Sequence, residues 1–250
     1  MSLVVYGDFT SPECYLAARR CDALAAAGVP AEFRAVEHRT DPAVTGACPP
    51  AVDQDALTAR FRALQDLLLP GELLPWTMPP LIATSAAAVS AYAAVSDTPV
   101  AGEVRRLLFD LYWRDGTDIG NPNLLRAPLA GPVLRSGSES DPLRQVGYAV
   151  HVDGGPVTTD AWRRIRAWRT EWHELGNPAL PVLLVEAATL HGADALRRLG
   201  KELTYAGADV APVLPDPRRY AGERVQPSPF WVSWIGGRWR TGYRTTADVH

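Results

Sequence analysis

The chain has 250 residues, of which 47% are hydrophobic and 21% charged, enough apolar material for one large core or two modest ones and too much for a disordered chain. A net charge of −3 leaves no electrostatic footprint for nucleic acid, and no apolar run approaches the roughly 18 residues of a membrane span, so neither is an expected partner. Cys14, Cys21 and Cys48 are too few and too irregularly spaced for a disulfide framework, and no Cys/His group has the spacing of a metal site.

The N-terminus passes directly into the strand-like LVVYGDF with no charged leader and cleavage site, so a cytoplasmic protein is expected. Residues 2–7 are rich in β-branched and aromatic side chains and end at Gly7–Asp8, after which Ser11–Pro12 opens an Ala-, Leu- and Arg-rich run that stops at Gly28. That pattern is strand, turn, helix. AEFRAVEH, residues 31–38, alternates as a strand does and completes a β-α-β unit with a right-handed crossover. Helical patterns follow at about 53–69, 80–96, 101–115 and 159–175, with Gly, Pro and Ser between them. In the last, Trp162, Ile165, Trp168, Trp172 and Leu175 recur at steps of three and four, which predicts one buried face. PVLLVEAATLHG, residues 181–192, reads as strand, turn and strand, and ADALRRLGKELTYAG after it as a helix.

Beyond residue 207, PFWVSWIGGRWRTGY places strand-like residues on both sides of Gly236–Gly237 and predicts a hairpin carrying Trp231, Trp234 and Trp239. A lone hairpin is marginal, so it is expected to cover an edge or face of the main body, with a homodimer contact or a lid as the alternatives.

This order resembles the DsbA-like branch of the thioredoxin superfamily (DsbA/FrnE-type oxidoreductases). The resemblance covers roughly residues 2–205. It rests on DFTSPECYLA at 8–17, DGTDIGNPNLL at 115–125, and GNPALPVLLV followed by HGADALRRL at 176–199. It implies an α/β thioredoxin fold with a large helical insertion: a thioredoxin-like domain from 1–50 and 176–206, an inserted helical domain at 51–175 and a C-terminal extension at 207–250. The family's C-P-x-C site reads S-P-E-C here. Ser11 stands where the attacking cysteine would be and Cys14 where the resolving one would be, so a local dithiol cycle cannot close. If Ser11 is the N-cap and Pro12 the first helical residue, Cys14 gains from the helix end less than one pKa unit, and Glu13 beside it opposes ionisation. Ser-Pro-Glu is equally a good helix start with no further role.

DFTSPECYLA is also similar to the D-x-x-S-P-x-S-x-L pattern of the kappa-class glutathione transferases and the 2-hydroxychromene-2-carboxylate isomerases. In those families the serine matching Ser11 hydrogen-bonds the sulfur of a bound glutathione. The resemblance implies a low-molecular-weight thiol, glutathione or a functional equivalent, as cofactor, no metal, and a small-molecule substrate. It implies a cis peptide at Leu180–Pro181, with Leu180 offering its backbone to the ligand. Phe9 and Pro12, flanking Ser11, are counted with the binding residues. Asp194 matches an aspartate that pairs with the γ-glutamyl amine, although Ala193 replaces the polar residue before it, and His191 lies beside that segment. Three readings follow: a thiol-assisted isomerase, transferase or reductase at Ser11; a monothiol oxidoreductase through Cys14; or a non-catalytic binding protein with a degenerate site.

Overall fold

The computed structural model describes residues 3–38, 52–72, 74, 79, 82–137 and 142–208, together with the backbone of 230–235 and 238–243. The apolar run LVVYG forms β1 (Leu3–Gly7), an inner strand of a four-stranded mixed sheet. It pairs in parallel with β2 (Ala31–Ala35) on one side and antiparallel with β3 (Val182–Val185) on the other, and β4 (Ala188–His191) forms the far edge. The crossover from β1 to β2 is α1 (Pro12–Ala26), and α8 (Gly192–Tyr205) follows β4 and packs against α1. Between β2 and β3 lie α2 (Gln54–Gln65), α3 (Ala86–Ala93), α4 (Ala101–Trp113), α5 (Pro122–Arg135), α6 (Pro142–Gln145) and α7 (Thr159–Glu174). A β-α-β half and a β-β-α half thus flank a helical insertion, as the resemblance implied.

Three departures from the sequence reading have physical causes. First, α5 is absent from the sequence pattern, because Pro128 and Pro132 lie inside it and read as breakers. It begins on Asn121, whose side chain caps it, with Pro122 in the first turn, and it buries Leu125, Leu129 and Val133 at steps of four. Second, β2 ends three residues early. The Val36 amide donates to the Gly7 carbonyl and the His38 amide to Asp8, so the chain folds over the end of β1. Third, Trp168 and Trp172 are buried, but Trp162 is 51% exposed, and the Arg166 guanidinium lies over its ring at 5.3 Å. The helical step places Trp162 on the edge of the buried face, outside its centre.

The core is aromatic where sheet and insertion meet: Phe9, Phe33, Tyr92 and Phe109 make ring contacts at 4.9–6.2 Å. Gly7 is required there, since a Cβ would stand 2.7 Å from the Phe33 ring. Buried charge ties the helices together. Arg20 of α1 is 1% exposed and grips Glu72 through Nε at 2.8 Å and Nη2 at 2.5 Å, while its guanidinium also donates to the Leu67 and Leu196 carbonyls. This pair joins α1 and α8 to the segment following α2. Arg105 of α4 pairs with Asp22 of α1 and lies over Phe33.

Residues Met1–Ala211 form one compact unit and Pro212–His250 another. In the second, β5 (Phe230–Ile235) and β6 (Arg238–Tyr243) pair antiparallel from Phe230↔Tyr243 to Ile235↔Arg238, the expected hairpin. Its tryptophan side chains, and with them the expected cover, lie outside the described residues. No helix among the described residues is long and apolar enough to cross a membrane.

Glu72→Ala leaves the Arg20 charge buried and unpaired, and should lower stability by about 3–5 kcal/mol in urea unfolding. A loss below about 1 kcal/mol would show that the pair does not hold α1 to its neighbours.

Candidate functional site

Where β1 ends, the chain turns through Asp8, Phe9 and Thr10 into α1. Asp8 is fully buried and fully engaged: Oδ1 accepts from the Thr10 amide at 2.8 Å and hydroxyl at 2.9 Å, and Oδ2 accepts from the His38 amide at 2.7 Å. The Asp8 carbonyl accepts from the Ser11 amide at 3.1 Å. One carboxylate therefore fixes both the turn before Ser11 and the segment leaving β2.

Ser11 is the N-cap of α1 in extended conformation, and its Oγ accepts from the Cys14 amide at 3.3 Å. The hydroxyl donates to Glu13 Oε2 at 2.7 Å. Glu13 is in turn held by Arg60 of α2, through Nε at 3.2 Å and Nη2 at 2.5 Å. Ser11, Glu13, His38 and Arg60 line one side of a cavity of about 510 Å³, with Leu180 and Arg197 among the residues completing it. The Leu180–Pro181 peptide is cis. Pro181 is buried, and its carbonyl accepts from the Gly192 amide at 2.8 Å, linking the entry to β3 with the start of α8. Among the described residues, neither backbone group of Leu180 has a backbone partner.

Cys14 lies behind this surface with no exposure. Burial pushes its thiol far above the ordinary range, and the Glu13 and Asp8 charges push the same way, while hydrogen bonds from Ser11 and the Asp8 backbone oppose them only in part. Cys21 is also free and fully buried, and burial pushes it up to about 11. Cys48 lies outside the described residues.

Of the expected binding residues, Ser11 and Leu180 line the cavity. Pro12 is buried in the first turn of α1. Phe9, expected at the ligand, belongs to the core instead: its ring is fully buried among Phe33, Tyr92 and Phe109, and its carbonyl accepts from Trp113 Nε1 at 2.9 Å. Asp194 is exposed and paired with Arg197 at 2.8 Å, and it is Arg197 that lines the cavity. His191 is exposed at the N-cap of α8 with no side-chain capping bond, outside the lining. The histidine at the cavity is His38, placed there by the early exit from β2. Arg60 could not be found from the motif, because 47 residues separate it from Glu13 and only the docking of α2 brings them together.

A four-stranded mixed sheet with this insertion and a cis-proline at the entry to β3 define the DsbA-like thioredoxin fold. No protein-family model and no curated protein matches the chain. Among solved structures it is similar to the cytosolic disulfide reductase DsbM from Pseudomonas aeruginosa, in a structure with GSH (TM-score 0.57) and in a second structure (0.59). Each shares 15% identity and covers 83% of this chain and 96% of that one. A 2-hydroxychromene-2-carboxylate isomerase matches at TM-score 0.51 and 17% identity, over 82% of this chain and 95% of that one.

The buried thiols generate a prediction. In a Cys48→Ser background the native protein should show no reaction with a thiol reagent at neutral pH and two equivalents on unfolding. The native state also keeps thiol protons that the unfolded state releases. Stability should therefore be undiminished below about pH 8.5 and fall as pH rises toward the folded value of about 11 for Cys21. Rapid labelling of Cys14 in the native protein would contradict its burial.

Proposed function

We propose that the chain is a thiol-dependent enzyme that binds a low-molecular-weight thiol in the Ser11 cavity and uses it to isomerise, conjugate or reduce a small substrate. The observation that carries this reading is the pairing of a serine that lines the cavity, itself only 9% exposed, with a thiol that has no exposure. Ser11 and Leu180 line one cavity, whereas Cys14 has no exposure and is kept protonated by burial. On this reading the reactive sulfur comes from the ligand. The size of the cavity supports a small-molecule occupant, since such sites run from about 300 to 1,000 Å³. The structure of DsbM with GSH, sharing this fold, supports glutathione as the first thiol to try.

The same observation weighs against the monothiol reading, because a thiol with no exposure that burial holds protonated is poorly placed to attack a protein disulfide. A binding protein without catalysis would share the cavity, and turnover with a bound thiol separates it from the enzyme.

Calorimetric titration with glutathione and other small thiols, repeated on Ser11→Ala, tests the proposal. Losing a hydrogen bond to the sulfur should weaken binding by about 10-fold or more, alongside a cap loss of about 0.5–2 kcal/mol in stability. Equal affinity in both proteins would reduce Ser11 to a helix cap. The wild-type chain should also fail to reduce insulin at the rate of a C-x-x-C enzyme, and reduction at that rate would refute the assignment.

A further inference from the structure

A thiolate seated at Ser11 would need donors, and most of those at this helix end are committed. Pro12 has no amide hydrogen, the Cys14 amide donates to Ser11 Oγ, and the Tyr15 amide donates to the Ser11 carbonyl, which leaves the Glu13 amide, on the residue that carries the negative charge. The Ser11 hydroxyl hydrogen is given to Glu13 at 2.7 Å. What Ser11 turns toward an incoming sulfur is therefore an acceptor lone pair, with a carboxylate directly behind it.

Arg60 does not reverse this. Its Nε and Nη2 are both spent on Glu13, so it locks the carboxylate in place. The other charged groups around the cavity leave the balance unchanged. Asp8 is bonded to Thr10 and His38, Arg197 is paired with Asp194, and Asp66 adds a further carboxylate while His38 faces the cavity from the segment after β2. Among the described residues lining the cavity, each guanidinium is in an ion pair. Buried Cys14, one turn behind, feels Glu13 in the same sense: after desolvation, Glu13 is among the groups that hold it protonated.

The geometry points to Glu13 as a specificity-determining residue that makes the Ser11 position accept a proton-bearing group, a neutral thiol or hydroxyl, and disfavour a thiolate. Glu13 is a positioning residue in this role: it sets the direction of the Ser11 hydrogen bond and the charge beside it. The inference takes from the proposed function only the seat of the sulfur beside Ser11.

The test places a thiol there without any ligand. In the full chain carrying Cys48→Ser, Ser11→Cys substitutes sulfur for the hydroxyl oxygen, and the pH dependence of its alkylation, after phosphine reduction, reports its pKa. With Glu13 intact the value should lie at or above the ordinary value of about 8.5. Adding Glu13→Ala should lower it by about one unit or more, the effect of removing a like charge at contact. Glu13→Gln, which keeps the volume, should move it in the same direction. A pKa well below 8.5 with Glu13 present, or one unmoved by both substitutions, would overturn the inference. Failure of the proposed function is separately visible: a wild-type protein that binds no glutathione leaves this titration intact, whereas one that binds it while the introduced thiol is acidic keeps the function and loses this inference.

Discussion

A carboxylate taken out of water has to be bonded on every side, and Asp8 meets that demand by gathering the site around itself. Its two oxygens accept from Thr10 and His38, and its carbonyl accepts from Ser11. The turn that presents Ser11 and the strand exit that presents His38 are therefore one hydrogen-bonded object. The cis Leu180–Pro181 peptide and its bond to Gly192 bring Leu180 and Gly192 to the same cavity. α2 lines the same cavity through Arg60, and the segment after it is drawn to α1 by the buried Arg20–Glu72 pair. Side chains far apart in the chain are in this way held around one opening by buried polar groups that cannot be left unpaired.

Within that frame, two neighbouring groups differ in their access to the cavity. Ser11 and Cys14 are three residues apart on the same helix start, yet one borders the cavity and the other has no exposure. A dithiol enzyme would use both positions. Here the position that borders the cavity carries a hydroxyl, and the thiol three residues on has no exposure. The Glu13–Arg60 pair adds a further distinction, because it decides which way the Ser11 hydroxyl points.

Much of this was legible in the residues. Ser11–Pro12 announced the cap and the first helical position, and the structure places them so. The strands and their order followed from short apolar runs bounded by turn residues, which is a local signal. The cis-proline came from the resemblance, since nothing in the residues themselves distinguishes cis from trans. Helix α5 was hidden because proline is a breaker by propensity while the packing of Leu125, Leu129 and Val133 decided the outcome. Phe9 shows a different limit. It sits inside the motif, but alternation along the turn sends its ring into the core. Arg60 and Arg197 reach the cavity only through the docking of α2 and α8, so no spacing in the sequence could announce them.

The central claim is that the reactive sulfur is brought by the ligand and seated at Ser11. A crystal structure of the chain soaked or co-crystallised with glutathione addresses it directly. The sulfur should lie within hydrogen-bond reach of Ser11 Oγ, with the ligand backbone against Leu180 and no covalent bond to the protein. A mixed disulfide at Cys14, or a glutathione bound with its sulfur away from Ser11, would contradict the account.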